Sequence, residues 1–309
     1  MTRLRYFYGS LFVLCLIVAV VIIPAATPIQ GRSPTSTPAG GVRAAPTSGG
    51  VQVVPTLHLK TKVRVTFKSG SLTLVGFLFK PDGAGPFPGV IWNHGSEKAP
   101  GTGPEFDSVA DIFVPAGYVV FAPMRRGHGD SEGQYIKDRL DAEEQKNGRD
   151  ARERLQVQLL EGPQVDDQLA GLDYLKSLPF VDKNRLAVVG CSFGGIQTLL
   201  AAERNVGFKA AVALSPAAES WANKYLQARL LKAVDGINIP VFLIHPEKDA
   251  SVGPGYTLGQ EFQKLGKPYG LKIYPPFGPA DEQGHCFGGA KGHHIWAPDV
   301  LWFLSNTVK

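Results

Sequence analysis

Six short apolar runs set the architecture of this chain: Phe87 to Trp92, Tyr118 to Ala122, Arg185 to Val189, Ala210 to Leu214, Val241 to Ile244 and Leu271 to Tyr274. A strand with one wet face alternates apolar and polar residues, whereas nearly continuous apolar runs suit strands buried on both faces of a mainly parallel sheet. Helical stretches lie between them. One carries Val165, Leu169, Leu172 and Leu175 at spacings of four, three and three, a single apolar stripe to lay on the sheet. Ahead of them, Val63 to Phe67 and Leu72 to Phe79 are β-rich runs separated by Lys68-Ser69-Gly70, a hairpin signal. An antiparallel start followed by β/α alternation predicts an α/β fold with helices on both faces of a mostly parallel sheet.

The N-terminus reads differently. Arg3 and Arg5 precede an apolar run from Leu11 to Ile23, the pattern of a secretory signal over residues 1–26. The run is short for a transmembrane helix, which needs ~20 apolar residues. Counting from Tyr6 lengthens it, and Pro24 and Pro28 crowd the small residues Ala25 and Ala26, so an uncleaved membrane anchor is the alternative. Leu14 before Cys15 does not suit a lipoprotein signal. Residues 27–55 are Pro, Ser, Thr, Gly and Ala with few large apolar side chains, the composition of a disordered linker. Residues 56–309 then form the folded domain, large enough for a core that needs no stapling.

Charge excludes one class of partner. Residues 1–50 hold four arginines (Arg3, Arg5, Arg32, Arg43) and no acids, so the remainder carries 28 basic against 27 acidic residues, or +1. The basic character belongs to the leader and linker, and nucleic acid is not implied. Two cysteines, Cys191 and Cys286, lie in the domain. In an exported protein such a pair is permitted to oxidise.

Two segments exceed plain connections. Tyr135 to Gly162 is densely charged and predicts one or two surface helices; Pro216 to Gly236 carries Trp221, Tyr225, Leu226 and Leu230 on one helical face.

The chemistry concentrates after Leu186 to Gly190, which runs directly into Cys191-Ser192-Phe193-Gly194-Gly195 and a helical stretch from Ile196. Strand, sharp turn and helix are the context in which G-x-S-x-G presents a nucleophilic serine, Ser192, at the carboxyl end of the sheet. A serine hydroxyl needs a base, and the base needs a carboxylate to orient it. Val241 to Ile244 is followed by His245-Pro246-Glu247-Lys248-Asp249. Asp249 is the candidate acid, with Glu247 and Asp281 as rivals. The base belongs in a loop after Leu271 to Tyr274, where His285, His293 and His294 compete; His285 is favoured because Gly284, Gly288 and Gly289 surround it. For the oxyanion, the N–H of Phe193 is one donor and that of Ser96, in Asn93-His94-Gly95-Ser96-Glu97, is the second, with Glu97 as runner-up.

The other histidines read as structural. His128 precedes the serine in Arg126-Gly127-His128-Gly129, His58 falls near the linker, His245 ends a strand and His94 shapes its loop. His285, His293 and His294 lack the i, i+4 spacing with an acid partner that a metal site requires, so neither metal nor cofactor is expected.

Together these landmarks resemble the α/β-hydrolase superfamily, nearest its dienelactone hydrolase-like and prolyl oligopeptidase-like branch. The resemblance spans about residues 60–309 through Asn93-His94-Gly95-Ser96, Arg126-Gly127-His128-Gly129, the serine elbow, and Asp249 with His285. It implies an α/β-hydrolase fold and acyl transfer without a cofactor. Dienelactone hydrolases proper place cysteine at the centre of the elbow; here the centre is Ser192, and Cys191 sits one residue earlier, on the opposite face of the strand. Cys191-Ser192, Asp249 and His285-Cys286 also resemble the Cys-Ser, Asp, His-Cys order of fungal feruloyl esterases and tannases, which implies a Cys191–Cys286 disulfide. Two unpaired buried thiols are the other reading.

The expected function is an exported serine hydrolase acting on small-molecule carboxylic esters. An exopeptidase or acyl-peptide hydrolase is the nearest competitor, although no propeller domain precedes the hydrolase. A non-catalytic binding protein on the same scaffold is a third reading. Oligomeric state is open, and any membrane contact falls to the N-terminal segment.

Overall fold

The computed structural model describes residues 61–308 except 103, 277, 281 and 282. The expected leader and linker, His58 and Asp281 lie outside the described residues.

Strands β1 (Thr61–Ser69) and β2 (Leu72–Lys80) pair antiparallel in unbroken register, from Thr61 opposite Lys80 to Ser69 opposite Leu72. Gly70, at φ 57, supplies the left-handed turn between them. Next comes β4 (Val119–Pro123), antiparallel to β2. Every later pairing is parallel: β3 (Phe87–Asn93), β5 (Val181–Cys191), β6 (Phe208–Leu214), β7 (Val241–Pro246) and β8 (Tyr269–Tyr274). The eight strands lie in the order β1-β2-β4-β3-β5-β6-β7-β8. This is the mostly parallel sheet with an antiparallel N-terminal hairpin that the sequence predicts.

Consecutive residues are buried because both faces are covered. On β3, Val90 and Trp92 join a core with Phe106, Val109 and Phe113 of α1 (Glu105–Phe113) and Trp296, Val300 and Leu304 of α8 (His293–Thr307). Ile91, between them, faces the opposite core. That core is built with α4 (Val165–Ser177), α5 (Phe193–Glu203), α6 (Lys224–Gly236) and α7 (Gly253–Lys264), which contribute residues such as Leu172, Ile196, Leu230 and Phe262. Strand β5 alternates in the same way, Val188 into one core and Val189 into the other.

The charged segment forms two helices, α2 (Ile136–Asn147) and α3 (Arg149–Leu159), divided by Gly148 at φ 82. A π-helical turn, Leu160–Gln164, joins α3 to α4 around Pro163. Proline has no N–H to close an α-helical ring, and a widened turn accommodates it. Side chains take up its carbonyls: Gln197 Nε2 donates to Leu160 O at 3.0 Å and Arg204 Nη2 to Glu161 O at 2.7 Å. Further on, helix α6 starts later than its apolar face suggests, because Asn223 caps it by accepting the N–H groups of Tyr225 and Leu226. Trp221 therefore lies in the preceding turn. Among the described residues no helix is long and apolar enough to cross a membrane.

Candidate active site

Strand β5 ends at Cys191 and α5 begins at Phe193, leaving Ser192 as the single hinge residue at φ 59, ψ −122. An L-residue rarely adopts this conformation, and it persists only where the surroundings hold it. Here the Ser192 N–H donates to Leu214 O at 3.0 Å while its carbonyl accepts the Ile196 N–H at 3.1 Å. Glycine is obligatory beside it for steric reasons. A Cβ on Gly190 would lie 2.6 Å from both Asn93 Cβ and Gly194 O, and one on Gly194 would collide with Asn93 O. The elbow is thus wedged against the end of β3. A Cβ built on Gly95 would stand 3.8 Å from Ser192 Cβ, so the loop after β3 passes directly by the serine.

Strand β7 delivers Asp249 through a turn closed by its N–H on Pro246 O at 3.1 Å. The Asp249 side chain is fully buried. Its Oδ1 accepts His285 Nδ1–H at 2.7 Å and the Ala250 N–H at 2.8 Å; its Oδ2 accepts His245 Nδ1–H at 3.2 Å. The Ser215 hydroxyl also bonds this carboxylate. Burial works to raise the Asp249 carboxyl, but the hydrogen bonds from His245, His285 and Ser215, aided by the charge of His285, hold it well below the usual carboxylate range. An ionised carboxylate only accepts, so the His285 proton sits on Nδ1 and Nε2 is left as the basic nitrogen. Burial works to lower the His285 imidazole; the hydrogen bond and charge of Asp249, followed by the charge of Glu219, prevail and raise it above 6.5. His285 Nε2 is buried and has no hydrogen bond among the described residues.

The loop that carries His285 is unusual in backbone and tethering. Cys286, Phe287, Gly288 and Gly289 occupy φ 53, 57, 67 and 69. Phe287 is fully buried and the Cys286 N–H donates to Ser215 Oγ at 3.3 Å. Cys191 and Cys286 are joined in a disulfide with Cα atoms 6.0 Å apart, tying the residue before Ser192 to the residue after His285.

The rival residues stand elsewhere. Glu247 is exposed. His293 is buried against Trp92 and Trp296, shares a 2.6 Å hydrogen bond with Ser108 Oγ, and is lowered to about 4 by burial and by His294. His294 Nδ1–H donates to Lys291 O at 2.9 Å. Among the described residues no group of three or more His, Cys, Asp or Glu is placed to hold a metal ion.

The Phe193 N–H opens α5, where the first four amides of a helix lack intrahelical acceptors. The Ser96 peptide is positioned by Tyr135, whose hydroxyl donates to its carbonyl. Behind it, the fully buried Arg125 donates to His94 O at 3.0 Å and Gly95 O at 2.7 Å, and its N–H reaches His94 Nε2 at 3.3 Å. Burial, with the charges of Arg125 and His128, holds His94 well below 6.5. It is a neutral brace for the loop.

Ser192, His285 and Ser96 line one cavity of about 560 Å³, walled by Trp92 and Trp296 and reached by Glu105 and Lys137. The two indoles stack at 9°. Glu105 accepts Trp92 Nε1–H at 2.9 Å; burial and the charge of Glu97 raise its carboxyl to about 8. A smaller polar cavity of about 280 Å³ adjoins through Ser96, Lys137 and Glu219, with Phe193 in its wall.

Sequence spacing did not expose Ser215, Arg125 or Glu105, and it left His245 as a packing residue. His245 does end a buried strand, but it also holds the second oxygen of Asp249. Only a fold that ends β6 beside β7 brings Ser215 and His245 to the same carboxylate.

The model of the dienelactone hydrolase family matches residues 74–292. The chain belongs to the dienelactone hydrolase family. This family member is similar over 250 residues, at 25% identity, to the uncharacterized peptidase YtmA of Bacillus subtilis, covering 72% of the chain and 87% of that protein. It shares 26% identity over 159 residues with the quorum-quenching protein AidA of Acinetobacter baumannii, 52% of the chain and 45% of AidA. Two solved structures share its fold at 18% identity. The Pyrococcus furiosus esterase Pf2001 has a TM-score of 0.60 over 82% of this chain and 94% of its own. The Pyrococcus horikoshii acylaminoacyl peptidase has a TM-score of 0.61, and the match spans 82% of this chain but only 42% of the peptidase. The dienelactone hydrolase family member is therefore a hydrolase on the α/β-hydrolase fold, of a branch that includes esterases and peptidases.

Proposed function

We propose that this protein is an exported serine hydrolase that cleaves carboxylic esters through a Ser192–His285–Asp249 triad. The observation that carries this reading is the 2.7 Å bond from His285 Nδ1–H to a buried, ionised Asp249, with His285 lining the same cavity as the strained Ser192. His285 Nε2 takes the Ser192 proton as Oγ attacks the carbonyl carbon, and the carbonyl electrons move onto oxygen. The N–H groups of Phe193 and Ser96 receive that oxyanion. His285 then protonates the leaving alkoxide, and water, activated by the same base, releases the acid from Ser192. No cofactor enters these steps. Esters are the less demanding substrates, because their carbonyl is more electrophilic and an alkoxide departs more readily than an amine, while His285 supplies the leaving-group proton in either case.

A peptidase reading is favoured by the carboxylates of Glu97 and Glu219 around the cavity, which suit a substrate ammonium. A panel of p-nitrophenyl esters and aminoacyl p-nitroanilides separates the two: faster amide turnover would reject the esterase assignment. A fluorophosphonate should label Ser192 in the folded protein; no adduct would leave a non-catalytic binding protein. Export rests on residues 1–26 and is tested by the N-terminal mass of protein recovered outside the cytoplasm.

A further inference from the structure

We propose that Glu219 is a positioning residue that tunes His285 from the side opposite Asp249. This role rests on His285 serving as the base for Ser192. Glu219 belongs to the loop between β6 and α6, and its Oε2 lies 4.0 Å from His285 Nε2, the nitrogen that receives the proton. Asp249 occupies the other nitrogen, Nδ1. The Glu219 side chain is 62% exposed and makes no hydrogen bond or second ion pair among the described residues. Packing therefore gives no reason for a carboxylate here.

The chemistry gives one. When Ser192 Oγ forms its bond to the carbonyl carbon, its proton passes to Nε2 and the ring becomes a cation. That cation then lies between two carboxylates, one buried and hydrogen-bonded, the other wet and in Coulombic contact. Glu219 favours the imidazolium and so strengthens the base, by a modest amount because water screens an exposed charge. In the free enzyme the same contact gives a protonated ring a partner other than Ser192. Other titratable groups reach the cavity from every wall: Glu97 and Lys98 from the loop after β3, Glu105 from α1, Lys137 from α2 and His293 from α8. None of them forms an ion pair with the His285 ring. Glu219 is the one whose distance reaches the proton-carrying atom.

The test pairs kinetics with a direct titration in the full chain. The pH dependence of kcat/KM for a neutral p-nitrophenyl ester is compared between wild type, Glu219→Gln and Glu219→Asp. The His285 Cε1–H resonance, assigned by its loss in His285→Ala, is titrated in a Ser192→Ala background with and without Glu219→Gln. Glu219→Gln should lower both pKa values by about half a unit, which makes kcat/KM about threefold higher relative to its plateau on the acid limb. Glu219→Asp should retain part of the shift. An unchanged His285 titration in Glu219→Gln overturns the proposal. A shifted titration in a protein whose wild type neither turns over esters nor takes a fluorophosphonate supports the Glu219 contact and rejects the hydrolase assignment instead.

Discussion

At the residue scale, Asp249 and His285 are bound into one electrostatic unit with a definite pH signature. The proposed mechanism needs an unprotonated Nε2, and His285 is raised above 6.5, so kcat/KM should climb with pH through an apparent pKa above 6.5. Asp249→Asn withdraws the anion that raises the imidazole and permits the wrong tautomer, so kcat should fall by about four orders of magnitude. Steady-state rates across pH check both. The depressed Asp249 carboxyl also has a stability consequence of fixed sign. Its contribution is present above the ordinary value of 3.8 and is lost as pH falls through the lower folded value, so Asp249→Asn should flatten the acid limb of a Tm-against-pH curve. His293→Ala should keep most of the turnover, because that ring serves Ser108 and the two indoles. Abolished turnover in that variant, with His285→Ala active, would transfer the base to α8.

At the element scale, the elbow and the histidine loop come from distant parts of the chain and are held in register by a few contacts. Gly194→Ala drives a methyl group into Asn93 O at the end of β3, and relief requires the β5–α5 turn to move. We expect a loss of about 3 kcal/mol or more in urea unfolding, with Ser192 labelling lost beyond the fraction unfolded. The Cys191–Cys286 bond closes a separation of 95 residues. Chain entropy for a loop of that size gives about 4.7 kcal/mol as an upper figure, and native disulfides generally deliver about 2–4. Cys191→Ser with Cys286→Ser should therefore lower stability by that smaller amount. It should also reduce kcat, because the left-handed run from Cys286 to Gly289 loses its covalent anchor beside Ser192. Chemical denaturation and ester turnover of the double variant measure the two effects separately.

At the scale of the whole molecule, the sheet sets two cavities side by side at the carboxyl ends of its parallel strands, and in the proposed reaction their walls bound the size of the substrate. A cavity of about 560 Å³ with an indole floor should favour esters whose acyl group fills it, so kcat/KM should rise from acetyl to medium-length acyl groups and fall for long chains. A graded p-nitrophenyl ester series gives that profile directly. The fold itself was legible in the sequence because every central strand is apolar on both faces, and the elbow because its glycines answer to steric crowding that few other residues survive. Ser192, Asp249 and His285 could be nominated for the proposed triad from order along the chain, because each follows a recognisable strand. Distances were not legible. Which histidine faces which carboxylate depends on where β6, β7 and the loop after β8 end in space, and no periodicity records that. The sequence by itself determined the α/β class, the elbow and the short list of acids and bases, since these depend on local pattern. Only the tertiary structure decided that His285 bonds Asp249, that His245 and Ser215 share the same carboxylate, and that Glu219 stands at Nε2. Those are contacts between segments remote in sequence, selected by the packing of loops at the carboxyl ends of the parallel strands.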